Sequence, residues 1–314
     1  MDISYLLFLQ DIRNGIHDAW TPFLEGISLF SITYLLFLPT FIYWCINKKS
    51  GLYTLCALYL SVAINAVVKL SVCAYRPWIR DARIIPAGDS IRTATGYSFP
   101  SGHVMGATPI YGGMAIGFWA KKTTRWISVL CIVALLITGF SRNYLGVHTP
   151  QDVLVGFILG GLILWFTGWI FNDVVQHPDQ ENKFLLAGIL FAALSLIYIT
   201  YKPYPLDYVN GKPLVDPLVM QNDAYLWMGA LSSFCAARYV EKRWIRFTAT
   251  GLTVKGIFLG IIGLAGLKWL APYLQPMLVT QLGAHWGRFI SQAIVVFYIV
   301  ALYPLVLKYA GYKH

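Results

Sequence analysis

Charge is what this chain has least of. Acidic and basic residues make up 12% of its 314 residues, and 57% are hydrophobic. Ordinary soluble domains carry about 25% charged residues, so the scarcity excludes a domain with a solvated surface. Alternation of apolar and polar residues is missing from the apolar runs, which excludes a transmembrane barrel. What remains is an all-α protein crossing the bilayer several times, because in lipid each segment must satisfy its own backbone polar groups. Cysteine is sparse: Cys45, Cys56, Cys73, Cys131 and Cys235, with no CxxC pair. That excludes a disulfide framework or a thiolate metal site, and the five read as small buried apolar residues. A basic leader is missing as well. Asp2 stands where a cleavable signal would be basic, and Asp11 and Arg13 interrupt the first apolar stretch. Acidic residues are outnumbered 14 to 24, giving a net charge of +10. Basic residues flanking membrane spans account for much of that excess, so no nucleic-acid partner is expected.

What is present is a series of apolar runs near the ~20 residues that cross a bilayer. They predict a polytopic transmembrane helical bundle with about nine spans, at about 25–46, 52–73, 102–120, 126–142, 151–171, 184–201, 224–240, 252–271 and 288–309. Before them, residues 3–22 carry Leu6, Leu7, Leu9, Ile12, Ile16 and Trp20 among polar neighbours. This pattern predicts an amphipathic helix lying in the membrane interface. The chain then divides into an interfacial segment, 1–24, a transmembrane core, 25–176, and additional transmembrane helices, 177–314. Three connections stand out. Residues 77–100 hold Arg80, Asp81, Arg83, Asp89 and Arg92; residues 202–223 are rich in proline; residues 271–287 hold Pro272, Pro276, His285 and Trp286. His177 lies among Asp173, Asp179 and Glu181, but no ligand spacing repeats there, so it reads as a solvated loop and no metal is expected.

Chemistry-bearing residues concentrate in three stretches. Residues 141–152 read SRNYLGVHTPQD. Thr149-Pro150 marks a helix start, with Thr as N-cap and Pro at the first helical position. His148 then lies just outside a helix N-terminus and Asp152 in its first turn. A carboxylate there can hold one imidazole nitrogen and leave the other free to attack. Arg142 offers a planar fork to an oxyanion. Lys69 and Arg76 are seven apart, close to two helical turns, and a continuing helix would place both on one face until Pro77 stops it. Ser101 can cap the helix that opens at Pro100-Ser101-Gly102-His103. Gly102 permits close approach to the backbone, and the helix N-terminus favours an anion.

The set K-x6-RP, PSGH and SR-x5-H-x3-D, in that order, resembles the type 2 phosphatidic acid phosphatase family. That family includes the vanadium haloperoxidases and glucose-6-phosphatase. All three motifs match without a departure over residues 69–152, and the helix pattern extends the likeness to roughly 25–175. The resemblance implies a catalytic core with extra C-terminal helices. It implies phosphoryl transfer through a phosphohistidine, with His148 as nucleophile, Asp152 orienting it, and His103 as general acid and then base. Lys69, Arg76, Ser101, Gly102 and Arg142 would cradle the phosphate. No cofactor is implied, since the cations take the place of a metal ion.

Alternating crossings put Lys48/Lys49, Lys121/Lys122/Arg125 and Arg238/Lys242/Arg243/Arg246 on one side, joined by Lys183, Lys308 and Lys313. The positive-inside rule makes that side cytoplasmic. The three motifs fall at the other end, so the site is expected to face outward, or the lumen in an organelle membrane. The runs YRPWIRD and ATGYSFPSGH resemble bacterial members of the family, which places the protein in a bacterial plasma membrane. An interfacial site suits an amphiphilic substrate: undecaprenyl diphosphate, phosphatidic acid, phosphatidylglycerol phosphate or a sphingoid phosphate. The alternatives are a phosphotransferase using the same phosphoenzyme on a lipid or sugar, a glucose-6-phosphatase-like phosphatase of a soluble sugar phosphate, and a non-enzymatic transporter or scaffold. The intact set of site residues argues against the last.

Overall fold

Apolar runs with no water to bond their backbones become helices, and the computed structural model, which describes residues 2–209 and 211–310, is helical along most of its length. The long helices are α4 (Lys48–Val72), α6 (Gly102–Trp119), α7 (Arg125–Tyr144), α8 (Pro150–Gln176), α9 (Glu181–Tyr201), α10 (Pro217–Val240) and α11 (Val254–Phe297). Shorter ones are α1 (Asp2–Gly15), α2 (Thr21–Thr33), α3 (Phe37–Ile46), α5 (Pro77–Arg80) and α12 (Tyr303–Tyr309). One pair of two-residue strands, β1 (Tyr208–Val209) and β2 (Lys212–Pro213), closes a hairpin between α9 and α10. Lys313 lies outside the described residues.

Among the described residues five helical stretches are long and apolar enough to cross a membrane: 48–80, 122–144, 150–176, 181–201 and 254–309. The protein is therefore an all-helical integral membrane protein. Several expected spans take a different form. The span expected over 25–46 is broken between Thr33 and Phe37. Pro39 has no N–H for the carbonyl four residues back, which ends a continuous helix there. The connection expected over 271–287 is helical up to Gly283, whose φ of 78° and ψ of 169° break α11. The prolines at 272 and 276 are absorbed within the helix, and glycine, free to take positive φ, makes the turn. The two arms fold back antiparallel: a Cβ on Gly287 would lie 2.5 Å from the Cα of Val279, and the Tyr298 hydroxyl donates to the carbonyl of Gly263. Residues 217–223, read as connection, form the first two turns of α10.

The chain forms two compact units, one comprising residues up to 35, 64–164 and 202–220, the other 36–63, 165–201 and 221–314. The second unit is held at one end by a buried charge cluster. Glu241 is fully buried and accepts from Lys48 Nζ at 2.5 Å and from Arg238, which also donates to Glu181 at 2.7 Å. The first unit contains every site residue the motifs single out. On its α7, Val129, Ile132, Val133, Leu136 and Phe140 are exposed at helical spacing, as a lipid-facing stripe is. The amphipathic segment over 3–22 becomes α1, a turn through His17 and Asp18, and the start of α2. Leu6, Leu9 and Arg13 of α1 point inward while Tyr5, Phe8 and Ile12 stay exposed. Arg13 and Gln10 bind the backbone of the 77–100 connection, at Ile85 and Arg83.

Candidate active site

The turn from α7 to α8 builds the first half of the site. Two successive amides, those of Val147 and His148, donate to the Arg142 carbonyl at 3.1 and 3.2 Å, and Gly146 supplies the positive φ of 72° that the turn needs. Asn143 Nδ2 donates to the His148 carbonyl at 2.9 Å. Thr149 and Asp152 then form a capping box. The Asp152 amide donates to Thr149 Oγ1 at 3.3 Å, and the Thr149 amide donates to Asp152 Oδ2 at 2.7 Å. The carboxylate that caps α8 also lies 3.4 Å from His148 Nδ1. Helix initiation and histidine orientation thus use one side chain.

The second half comes from the end of α4 and the approach to α6. Here the expected geometry is corrected. α4 stops at Val72, with Cys73 in the left-handed region at φ 53°, four residues before Pro77. Lys69 and Arg76 therefore do not share a helical face. They reach the site by separate routes, each fastened to the same strand of backbone. Lys69 Nζ donates to the carbonyls of Tyr97 and Ser98 at 2.9 and 3.4 Å. Arg76 donates to Thr95 and Gly96 at 2.9 and 3.1 Å, then from Nη1 to the Val147 carbonyl at 3.0 Å, and Nη1 also lies 2.9 Å from His148 Nε2 and 3.5 Å from Nδ1. Ser101 occupies the N-cap position of α6 but makes no side-chain capping bond. Its backbone amide instead donates to the Asp152 carbonyl at 3.0 Å, tying the start of α6 to the start of α8. A Cβ on Gly102 would meet Asn65 Oδ1 at 3.3 Å.

Two glycines on α8, spaced i and i+4, set the distance between these helices. A Cβ at Gly156 would stand 3.1 Å from Val104 and 3.3 Å from the Ser101 carbonyl, and one at Gly160 only 2.7 Å from Thr108 Cβ. Small residues at this spacing let membrane helices approach closely.

The resulting centre is buried and positive. Lys69, Arg76, Ser101, His103, Arg142, His148 and Asp152 are all buried, setting three cations against one buried carboxylate. His103 lies within electrostatic reach of Arg142, His148, Arg76 and Lys69. Ser101 Oγ, His103 Nε2, and Arg142 Nε and Nη2 are buried without a hydrogen-bond partner. Arg142 Nη1 is held by Ser28 Oγ. Arg76 Nη1 lies close to both ring nitrogens, against the face of the imidazole, so this contact does not choose the tautomer; the acceptor-only Asp152 carboxylate 3.4 Å from Nδ1 favours the ring proton there. Burial, followed by the charges of Arg76, Arg142 and Lys69, holds His148 well below the ordinary histidine range, so the ring is neutral at pH 7. Such a set offers one imidazole lone pair, a second imidazole and several buried donors to an anion. Among the described residues no group of three or more His, Cys, Asp or Glu is gathered that could hold a metal ion.

The motifs bring together all eight residues they single out, but they miss four that hold them. Asn65 donates to the Pro100 carbonyl at 3.2 Å, and Ser98 Oγ donates to Asp152 Oδ2 at 2.6 Å. Asn143 and Ser28 hold His148 and Arg142 as described above. Asn65 carried a signal, being a polar side chain inside an apolar span one turn before Lys69. A serine in such surroundings carries none.

Residues 50–176 match the family model of the PAP2 superfamily, and residues 225–313 match that of the PAP2 superfamily phosphatase, transmembrane extension. The lipid phosphate phosphatase gamma of Arabidopsis thaliana is 33% identical over 190 residues, covering 56% of this chain and 79% of the relative. This chain belongs to the PAP2 superfamily. Other relatives are similar over comparable stretches. The phosphatidylglycerophosphatase B of Bacillus subtilis (strain 168) is 30% identical over 55% of this chain and 80% of its own length. The undecaprenyl-diphosphatase of Sulfolobus acidocaldarius is 28% identical over 50% of this chain and 65% of its own. No solved structure matches significantly. With both PAP2 matches, the chain is a membrane phosphatase, a hydrolase of phosphoric monoesters or diphosphates.

Proposed function

We propose that the protein hydrolyses a lipid phosphate or prenyl diphosphate through a covalent phosphohistidine. The observation that carries this reading is the buried, cation-rich centre whose Ser101, His103 and Arg142 end in unpartnered polar atoms around a neutral His148. Buried charge is retained only where it is paired, and a phosphate supplies the pairing. In the first step His148 Nε2 attacks phosphorus, the bond from phosphorus to the ester oxygen breaks, and His103 gives that oxygen its proton. Water then attacks phosphorus, the P–N bond breaks, His103 takes the proton, and inorganic phosphate leaves. Asp152 accepts from the His148 ring as its charge rises. Lys69, Arg76 and Arg142, with Ser101 and the Gly102 amide, stabilise the equatorial oxygens, a task a metal ion performs elsewhere.

Relatives named for lipid phosphates, phosphatidylglycerophosphate and undecaprenyl diphosphate support an amphiphilic substrate. So does a site at helix ends, where a headgroup stays in the polar layer and its tails lie among the helices. The distribution of lysine and arginine supports a site facing away from the cytoplasm.

The test is phosphate release by the purified protein in detergent. Undecaprenyl diphosphate, phosphatidic acid, phosphatidylglycerol phosphate, sphingosine phosphate and glucose 6-phosphate are each assayed beside His148→Ala. Release from a lipid and none from the variant is expected, and EDTA should leave the rate unchanged. An active His148→Ala protein removes the nucleophile assignment, and loss on chelation restored by magnesium removes the metal-free mechanism. A phosphorylated acceptor in place of free phosphate would make the protein a transferase.

A further inference from the structure

Ser98 touches three of the groups on which the proposed chemistry depends, yet that chemistry assigns it no part. It is 1% exposed. Its backbone is fixed on both sides: the amide donates to the Ala74 carbonyl at 2.7 Å, and the carbonyl accepts from Lys69 Nζ at 3.4 Å. Its hydroxyl donates to Asp152 Oδ2 at 2.6 Å and stands 3.4 Å from His148 Nδ1. Asp152 Oδ2 is itself 3.4 Å from the same nitrogen. The carboxylate and the hydroxyl thus bind each other closely, and both face the imidazole at the outer limit of a hydrogen bond.

The direction of each proton follows. The Asp152 carboxylate accepts only and faces Nδ1, so the ring proton is placed on Nδ1. The Ser98 hydroxyl proton is committed to Asp152, which leaves an oxygen lone pair facing Nδ1–H. The ring proton therefore faces the Asp152 carboxylate and the Ser98 hydroxyl, beside the Ser98 carbonyl, which also accepts from the ring. We propose that Ser98 is a positioning residue for the reaction. Its hydroxyl, fastened to Asp152, completes the side-chain acceptor that keeps His148 in the Nδ1–H tautomer and aims Nε2 at phosphorus. This rests on the reading of His148 as the nucleophile. When Nε2 becomes bonded to phosphorus the ring turns cationic, and the same pair of oxygens receives the strengthened Nδ1–H. Lys69 takes on a second task, since by holding the carbonyls of Tyr97 and Ser98 it sets where the hydroxyl stands.

The experiment compares full-length wild type, Ser98→Ala and Ser98→Thr in detergent, each labelled with 15N-histidine, with His148→Gln identifying the His148 signals. Ring nitrogen shifts report the tautomer directly, and steady-state kinetics on phosphatidic acid report kcat and KM. The expected result is a wild-type Nδ1–H ring and a mixed tautomer in Ser98→Ala. Loss of such a supporting contact typically costs about 10–100-fold, here in kcat, with KM moving by less than about twofold. Ser98→Thr, which keeps the hydroxyl, should recover the tautomer and most of the rate. Wild-type ring signals and wild-type kcat in Ser98→Ala overturn the proposal, as does a loss confined to KM. If Ser98→Ala does not fold, Ser98→Cys, a weaker donor of similar size, is read in the same way. Should the ring respond to Ser98→Ala while the wild type turns over no lipid phosphate, the positioning role stands and the substrate reading falls.

Discussion

A histidine that attacks phosphorus must be neutral, and the neighbours of His148 keep it so at a thermodynamic cost. Burial and then Arg76, Arg142 and Lys69 depress its proton affinity in the folded protein. In the unfolded chain the same ring binds a proton near its ordinary range. Below that range the unfolded state therefore holds more protons, and stability falls as pH falls, by up to about 1.4 kcal/mol per pH unit for this one group. We expect the melting temperature in detergent to drop between pH 7 and pH 5 and the slope to flatten in His148→Gln; an unchanged slope would mean that other groups govern it. Arg142 is tested by Arg142→Lys, which keeps the charge but loses the fork whose Nε and Nη2 are unpartnered. Losing hydrogen bonds to a charged group costs about 1.5–3 kcal/mol, so kcat/KM should fall at least tenfold, and a variant as active as wild type would take Arg142 out of the phosphate cradle. At this scale the sequence was most readable. Fixed spacings among residue types that are rare inside apolar runs marked Lys69, Arg76, His103, Arg142, His148 and Asp152. Ser98 and Ser28 were invisible, because a serine in an apolar stretch has the same appearance whether it holds a catalytic carboxylate or bonds its own helix.

Among the elements, the close approach of α6 and α8 decides whether the two halves of the site meet. Gly156 and Gly160 permit it, and the Ser101 amide bonded to the Asp152 carbonyl is its result. Gly156→Leu places side-chain atoms against Val104 and the Ser101 carbonyl, an overpacking of about 1–3 kcal/mol. It changes no residue that touches phosphate. Activity per folded molecule should nonetheless fall at least tenfold, measured as initial rate against the folded fraction, and full activity would show that the helices can part without harm to the site. The Gly283 turn gives a second case. Gly283→Val forces a branched side chain into a backbone region open essentially to glycine, which costs about 1–3 kcal/mol, and should lower the melting temperature without altering the pH dependence of turnover. Periodicity and hydropathy revealed that helices exist but not how they end. Cys73 terminates α4 before Pro77 can, Pro39 interrupts a run that reads as one span, and two prolines that look like loop residues sit inside α11. In each case a local backbone choice settled by packing overrode the pattern.

For the whole molecule, the placement of basic residues makes orientation testable. Arg92 lies in the site-side connection and is 80% exposed at its side chain, while Lys121 follows the far end of α6 and is also exposed. With the native cysteines replaced, a cysteine at 92 should react with an impermeant maleimide on intact cells, and one at 121 only after the membrane is opened. The reverse labelling would turn the site inward. Whichever way it faces, an enzyme of this kind is surrounded by phosphodiester lipids that greatly outnumber its substrate. Arg76 Nη1 rests 2.9 Å from His148 Nε2 and 3.5 Å from Nδ1, so the guanidinium stands against the ring where, on the proposed mechanism, the phosphate must arrive. A terminal monoester or diphosphate brings a dianion to draw the guanidinium onto its oxygens, whereas a diester brings a single, delocalised charge. On that mechanism the arginine is a lock keyed by charge, opened by the rare lipid that ends in phosphate and not by the bilayer around it.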